Sequence, residues 1–206
     1  MAAQRLIRAV VVDDHPAMRA GMRAVLDAAP DIEASAEAGS GPELWPVLQR
    51  VDPDVVLLDW HLPGDDGLIL CHRLKRRDPR TRVVLFSAYA DEWLVVPALI
   101  AQADALLAKR APAQTVYETI RTVIDREGPA VVELRLDQRQ ALMSSLDPED
   151  IGLAGLLLLG TPLREIASRC RMALPALGER VERIIARASA AHGPDVTHER
   201  SGEIPV

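Results

Sequence analysis

Short apolar runs that each stop at a polar residue constrain this chain most. Ala9-Val10-Val11-Val12 ends at Asp13 and Asp14, and Asp54-Val55-Val56-Leu57-Leu58 ends at Asp59. Val83-Val84-Leu85-Phe86 ends at Ser87, and Ala105-Leu106-Leu107-Ala108 ends at Lys109. A run that is apolar throughout suits a strand covered on both faces. We read strands at Arg8–Val12, Asp54–Leu58, Arg82–Phe86 and Ala105–Ala108, with a weaker one near Ile32–Glu37.

Helical spacing fills the gaps. Met18, Met22, Val25, Leu26 and Ala29 share one face of a helix, as do Leu44, Trp45, Leu48 and Val51 after Gly41-Pro42. Further helices are expected through Leu68, Leu70, Cys71 and Leu74, over Asp91–Ala101 and over Pro112–Arg126. Pro97 should kink or shorten the fourth of them. Strands alternating with helices imply a parallel sheet with right-handed crossovers. The carboxyl ends of its strands then share one edge, where ligands bind. Asp13, Asp14, Asp59, Ser87 and Lys109 would converge there, a set that can hold a divalent metal and a phosphoryl group.

Composition narrows the function classes. Of the 206 residues, 49% are hydrophobic and 26% charged, as in an ordinary soluble globular protein. Net charge is −6, so no global basic field advertises nucleic-acid binding. Residues 160–192 differ, with 6 basic against 3 acidic side chains. Cys71 and Cys170 are far apart and in no CxxC pattern, which excludes a cysteine-rich zinc site and suits a reducing cytosol. No apolar signal core precedes the acidic pair, and Ile151–Leu159 is too short to span a bilayer. The expectation is a cytoplasmic protein without a membrane partner.

The second part reads as all helical. Glu127-Gly128-Pro129 stops the fifth helix, and residues 129–145 read as a linker with helical character around Asp137–Met143. Asp147-Pro148-Glu149-Asp150 starts a helix that Gly160 ends. Pro162–Arg169 and Pro175–Ala190 follow, the latter with Leu177, Val181, Ile184, Ile185 and Ala188 on one face. The tail, 192–206, reads as disordered.

Residues 5–127 resemble a two-component response-regulator receiver domain. The acidic pair, the DxxLPGxDG signature from Asp59 to Gly67, Ser87 and Lys109 occur in the family's order. The segment LDPEDIGLAGLLLLGTPLREIASRC resembles the opening of a LuxR-type helix-turn-helix, as in the NarL/FixJ-type regulators. The resemblance implies a flavodoxin-like (βα)5 doubly wound parallel sheet over 1–128 and a small all-α helix-turn-helix domain over 146–191. It also implies an Asp59 phosphoacceptor fed by a sensor histidine kinase.

In-line phosphoryl transfer to a carboxylate gathers negative groups, and a divalent cation must offset them. The family pattern implies Mg²⁺ held by Asp14 directly, by Asp13 through water, by Asp59 and by the backbone carbonyl of His61. Lys109 and Ser87 would contact the phosphoryl oxygens, and Gly64 and Gly67 would allow the tight turn after Asp59. Asp66 reads as a helix N-cap, and His15 and His72 as surface residues. His61 reads as solvent-facing, shaping water access to Asp59. In the family an aromatic on the last strand follows the hydroxyl during switching. Leu106 stands there in this chain, and Tyr89 is a candidate substitute.

The resemblance further implies dimerisation through the helix Asp91–Ala101, the strand Ala105–Ala108 and the helix Pro112–Arg126. Pro175–Ala190 would be the recognition helix, with Arg164, Arg169, Arg180, Arg183 and Arg187 contacting promoter DNA. Glu179 and Glu182 oppose that role, Gly178 weakens the helix, and the family's fourth output helix is missing. The arginines could equally form i,i+4 pairs on a solvated face. The alternative is therefore a degenerate output domain that binds protein. No enzyme is expected beyond the receiver's own phosphorylation and dephosphorylation. A phosphoaspartate phosphatase of the haloacid-dehalogenase type wants Asp-x-Asp, and Asp59-Trp60-His61 lacks the second acid.

Overall fold

The computed structural model describes residues 6–88, 92–126, 134 and 136–192. Tyr89 and the tail beyond His192 lie outside the described residues. Five strands form one parallel sheet: β1 (Ile7–Val12), β2 (Ile32–Ala38), β3 (Val55–Asp59), β6 (Arg82–Ser87) and β7 (Ala105–Ala108), in the order β2-β1-β3-β6-β7. Between β3 and β6 lies a small antiparallel hairpin of β4 (His61–Leu62) and β5 (Asp65–Asp66). It turns at Gly64, whose φ of 79° is left-handed. The sequence reading, tuned to longer runs, did not separate this hairpin from the loop.

Helices cover both faces. Side chains alternate along each central strand, which splits the core in two. Val10, Val12, Val56, Leu58, Val83 and Leu85 pack under α2 (Gly41–Val51), α3 (Gly67–Arg77) and α4 (Glu92–Ile100). Ala9, Val11, Val55, Leu57, Val84 and Phe86 pack under α1 (Pro16–Asp27) and α5 (Ala113–Asp125). This is the doubly wound arrangement expected. Asp66 caps α3 as expected, accepting from the backbone N–H groups of Leu68 and Ile69 at 2.8 and 3.3 Å.

The C-terminal part is helical: α6 (Leu136–Ser145), α7 (Pro148–Leu158), α8 (Leu163–Arg169) and α9 (Leu174–His192). α6 occupies much of the segment read as a linker. These helices are not set apart from the sheet. α9 packs on α3 and α4, and α7 packs on α4. Leu153, Leu157, Leu177, Val181, Ile184 and Ile185 belong to the same buried cluster as Leu94, Leu99 and Ile100.

One expectation is overturned by this packing. His72 is not a surface residue; it is fully buried on α3, and neither ring nitrogen has a hydrogen-bond partner. Burial, reinforced by the nearby Arg76 charge, pushes its pKa down to about 4, so the ring is neutral at physiological pH. Sequence spacing put His72 between apolar positions of α3, and it could not show that a later helix would cover it.

Candidate functional site

Register brings the polar residues together. Val12 lies beside Leu58, Leu58 beside Leu85, Asp59 beside Phe86, and Ser87 beside Ala108. Asp13, Asp59, Ser87 and Lys109 therefore emerge at one edge of the sheet. The Lys109 ammonium bridges the two buried carboxylates, 2.5 Å from Asp13 Oδ2 and 2.6 Å from Asp59 Oδ2. The backbone N–H of His61 donates to Asp59 Oδ1 at 3.2 Å, and that of Lys109 to the Ser87 carbonyl at 2.7 Å. Ser87 is fully buried.

Electrostatics follow from this geometry. Burial pushes the Asp59 carboxyl upward, outweighing the hydrogen bonds from Lys109 and His61 that favour its charged form. Burial also works against the Lys109 ammonium, but its bonds to Asp13 and Asp59 prevail and raise it. Lys109 is thus a fixed cation beside a carboxylate short of positive charge.

Asp13, Asp14, His15 and Asp59 each offer a ligand atom, all within 4.8 Å of one another. Asp14 Oδ1 is buried with no hydrogen-bond partner, although His15 Nδ1 lies 2.7 Å away. The donor set is dominated by carboxylate oxygens, which suits a hard divalent cation. His15 is exposed, as expected, yet it belongs to this cluster; its place directly after the acidic pair was the available signal. The hairpin holds the far side. Asp65 Oδ2 accepts from the Gly41 N–H at 3.1 Å, and Gly67 N–H donates to the Trp60 carbonyl at 2.9 Å. A Cβ at Gly67 would overlap the Asp59 carbonyl oxygen and Trp60 Cα, so close approach calls for glycine here, whereas the left-handed turn is at Gly64.

A family model described as the response regulator receiver domain matches residues 9–121, more than half of the chain. The chain belongs to the response regulator family. The regulator is 27% identical over 191 residues to the DNA-binding transcriptional activator DevR/DosR of Mycobacterium tuberculosis, covering 88% of each. It is 34% identical over 170 residues to the transcriptional activator protein ExaE of Pseudomonas putida, covering 78% of this chain and 79% of that one. Among solved structures, the response regulator domain of Thermotoga maritima CheB matches at TM-score 0.55 and 26% identity, over 60% of this chain and 99% of that one. The regulator's parallel sheet is thus that of a receiver.

Of the five arginines expected to contact DNA, three are paired with carboxylates. Arg180 pairs with Asp150 at 2.5 Å and Arg187 with Asp147 at 2.5 Å. Arg169 pairs with Glu165 at 2.5 Å, the i,i+4 arrangement weighed from the sequence. Arg183 donates to the Glu179 carbonyl at 3.5 Å, and Arg164 is exposed. Leu106 is half-buried against the core and pairs with Leu85 across the strands. Of the expected dimer face, α4 is covered by α7 and α9 in this arrangement. No helix among the described residues is long and apolar enough to cross a membrane.

Proposed function

We propose that this regulator accepts a phosphoryl group on Asp59 from a sensor histidine kinase and controls transcription from the cytoplasm by binding promoter DNA. The observation that carries the first half is Lys109 held between Asp13 and Asp59 at the strand ends. An Asp59 carboxylate oxygen attacks phosphorus in line, the new P–O bond forms and the phosphohistidine P–N bond breaks. The Lys109 ammonium, already within 2.6 Å of Asp59, stays with the negative charge that arrives. Ser87 hydrogen-bonds a phosphoryl oxygen. Asp14, Asp59 and the His61 carbonyl, with Asp13 through water, would hold Mg²⁺. When bound, Mg²⁺ offsets the repulsion between phosphoryl oxygens and carboxylates. The His61 side chain, exposed beside Trp60, shapes the approach of water.

The second half rests on the relatives, which are transcriptional activators over most of their length. A second reading has a specific observation behind it. Three of the five candidate arginines are ion-paired within the protein, and α9 buries its apolar face against α3 and α4. On that reading the output binds protein. Fluorescence anisotropy of a labelled duplex at low salt, with and without beryllofluoride and Mg²⁺, separates the two. The DNA reading predicts binding that rises with beryllofluoride and weakens steeply with salt. No binding in either state leaves the protein-binding output.

A further inference from the structure

We propose that α4 is a core helix of both halves of the molecule, so that the receiver and the C-terminal helices form one cooperative unit rather than two domains that part. The inference is independent of whether α9 meets DNA or protein.

The argument begins with α4's own sequence. Leu94-Val95-Val96-Pro97-Ala98-Leu99-Ile100-Ala101 is apolar at eight consecutive positions, more than two helical turns. Such a helix has no face for water and must be covered all round. The sheet covers one side. On the other lie α9, α7 and α6. Val96, Pro97, Ala98, Leu99 and Ile100 are all buried, although five successive residues of a helix point in every direction. Removing the C-terminal helices would expose a continuous apolar surface of the kind that soluble monomers avoid.

The need runs the other way too. Leu177, Val181, Ile184, Ile185 and Ala188 of α9 are fully buried. α7 and α8 are short, 11 and 7 residues, and α4 supplies a further wall against α9.

Polar contacts fix the register of this shared core. Arg73 on α3 holds Glu182 on α9 through two hydrogen bonds of 2.9 and 3.0 Å. The Arg76 guanidinium occupies the space where a Cβ at position 178 would stand. After α4, Gln102 adopts a left-handed φ of 63° and its Nε2 donates to the Thr161 carbonyl at 2.9 Å.

Native-state hydrogen exchange in sub-denaturing urea, on the full chain, tests this. Ile184→Val removes one methylene from α9 and leaves the receiver's sequence intact. A single cooperative unit predicts that the slowest amides of α9 and of β3 open together, and that the variant speeds both about two- to tenfold. Faster exchange confined to residues 146–192, with β3 unchanged, would overturn the proposal. Glu182→Gln, which weakens the Arg73 contact at a partly exposed site, gives the same reading should the core variant express poorly. Its effect must again appear in β3 as well as in α9.

Discussion

Gly67→Ala is expected to destabilise the regulator by about 1–3 kcal/mol and to impair phosphoryl uptake at the same time. A Cβ at position 67 meets backbone, the Asp59 carbonyl oxygen and Trp60 Cα and carbonyl carbon, and no flexible side chain can move aside. Relief requires shifting either α3 or the backbone that carries Asp59. The second shift moves the acceptor carboxylate away from Lys109, 2.6 Å distant in the wild type. Gly21, which has nothing within 4 Å of its Cβ position, serves as the control, because Gly21→Ala adds helix propensity without a clash. Urea unfolding and acetyl-phosphate labelling of the two variants check the pair. Equal stability of both variants would mean that the hairpin is not the tight brace described.

Acid should loosen the molecule through His72. The unfolded chain takes up a proton on this ring near pH 6.5, and the folded protein only near pH 4, because burial and Arg76 disfavour the cation. Glu182 pulls the other way but does not prevail. A histidine whose folded pKa is depressed contributes stability that is fully present above the unfolded value. That stability is lost as pH falls from about 6.5 to about 4, in total on the order of 3 kcal/mol. Between pH 7 and pH 5 the wild type should lose about 2 kcal/mol on this account. His72→Phe should remove that part of the slope. Asp59, raised by burial, acts in the opposite sense and is common to both proteins, so the difference isolates His72. Identical pH dependence of urea unfolding in the two would show that His72 is not confined as described.

Much of the receiver was legible in the sequence because its signals are local. Each apolar run dictates a two-faced strand, each polar residue after it lands on the shared edge, and Asp66 sits where a helix needs an N-cap. Asp13, Asp59, Ser87 and Lys109 meet because parallel register leaves them little alternative. What was not legible depends on distant parts of the chain. His72 looked like a surface residue since nothing local announces that α9 will cover α3. Arg180 and Arg187 pair with Asp150 and Asp147, at least 30 residues away, where local spacing offered only i,i+4 partners. Nor does local sequence announce that the Arg76 side chain lies against Gly178. α4 was the exception, since its unbroken apolar run already demanded a cover, although the sequence alone did not identify α7 and α9 as that cover.

Phosphoryl uptake at Asp59 tests the central claim most directly. The full chain is incubated with acetyl phosphate and Mg²⁺, and its intact mass is followed beside that of Asp59→Asn. The account predicts a gain of one phosphoryl group in the wild type, dependent on the divalent cation, and none in the variant. An equal gain in both proteins would place the acceptor elsewhere and contradict the assignment of the site.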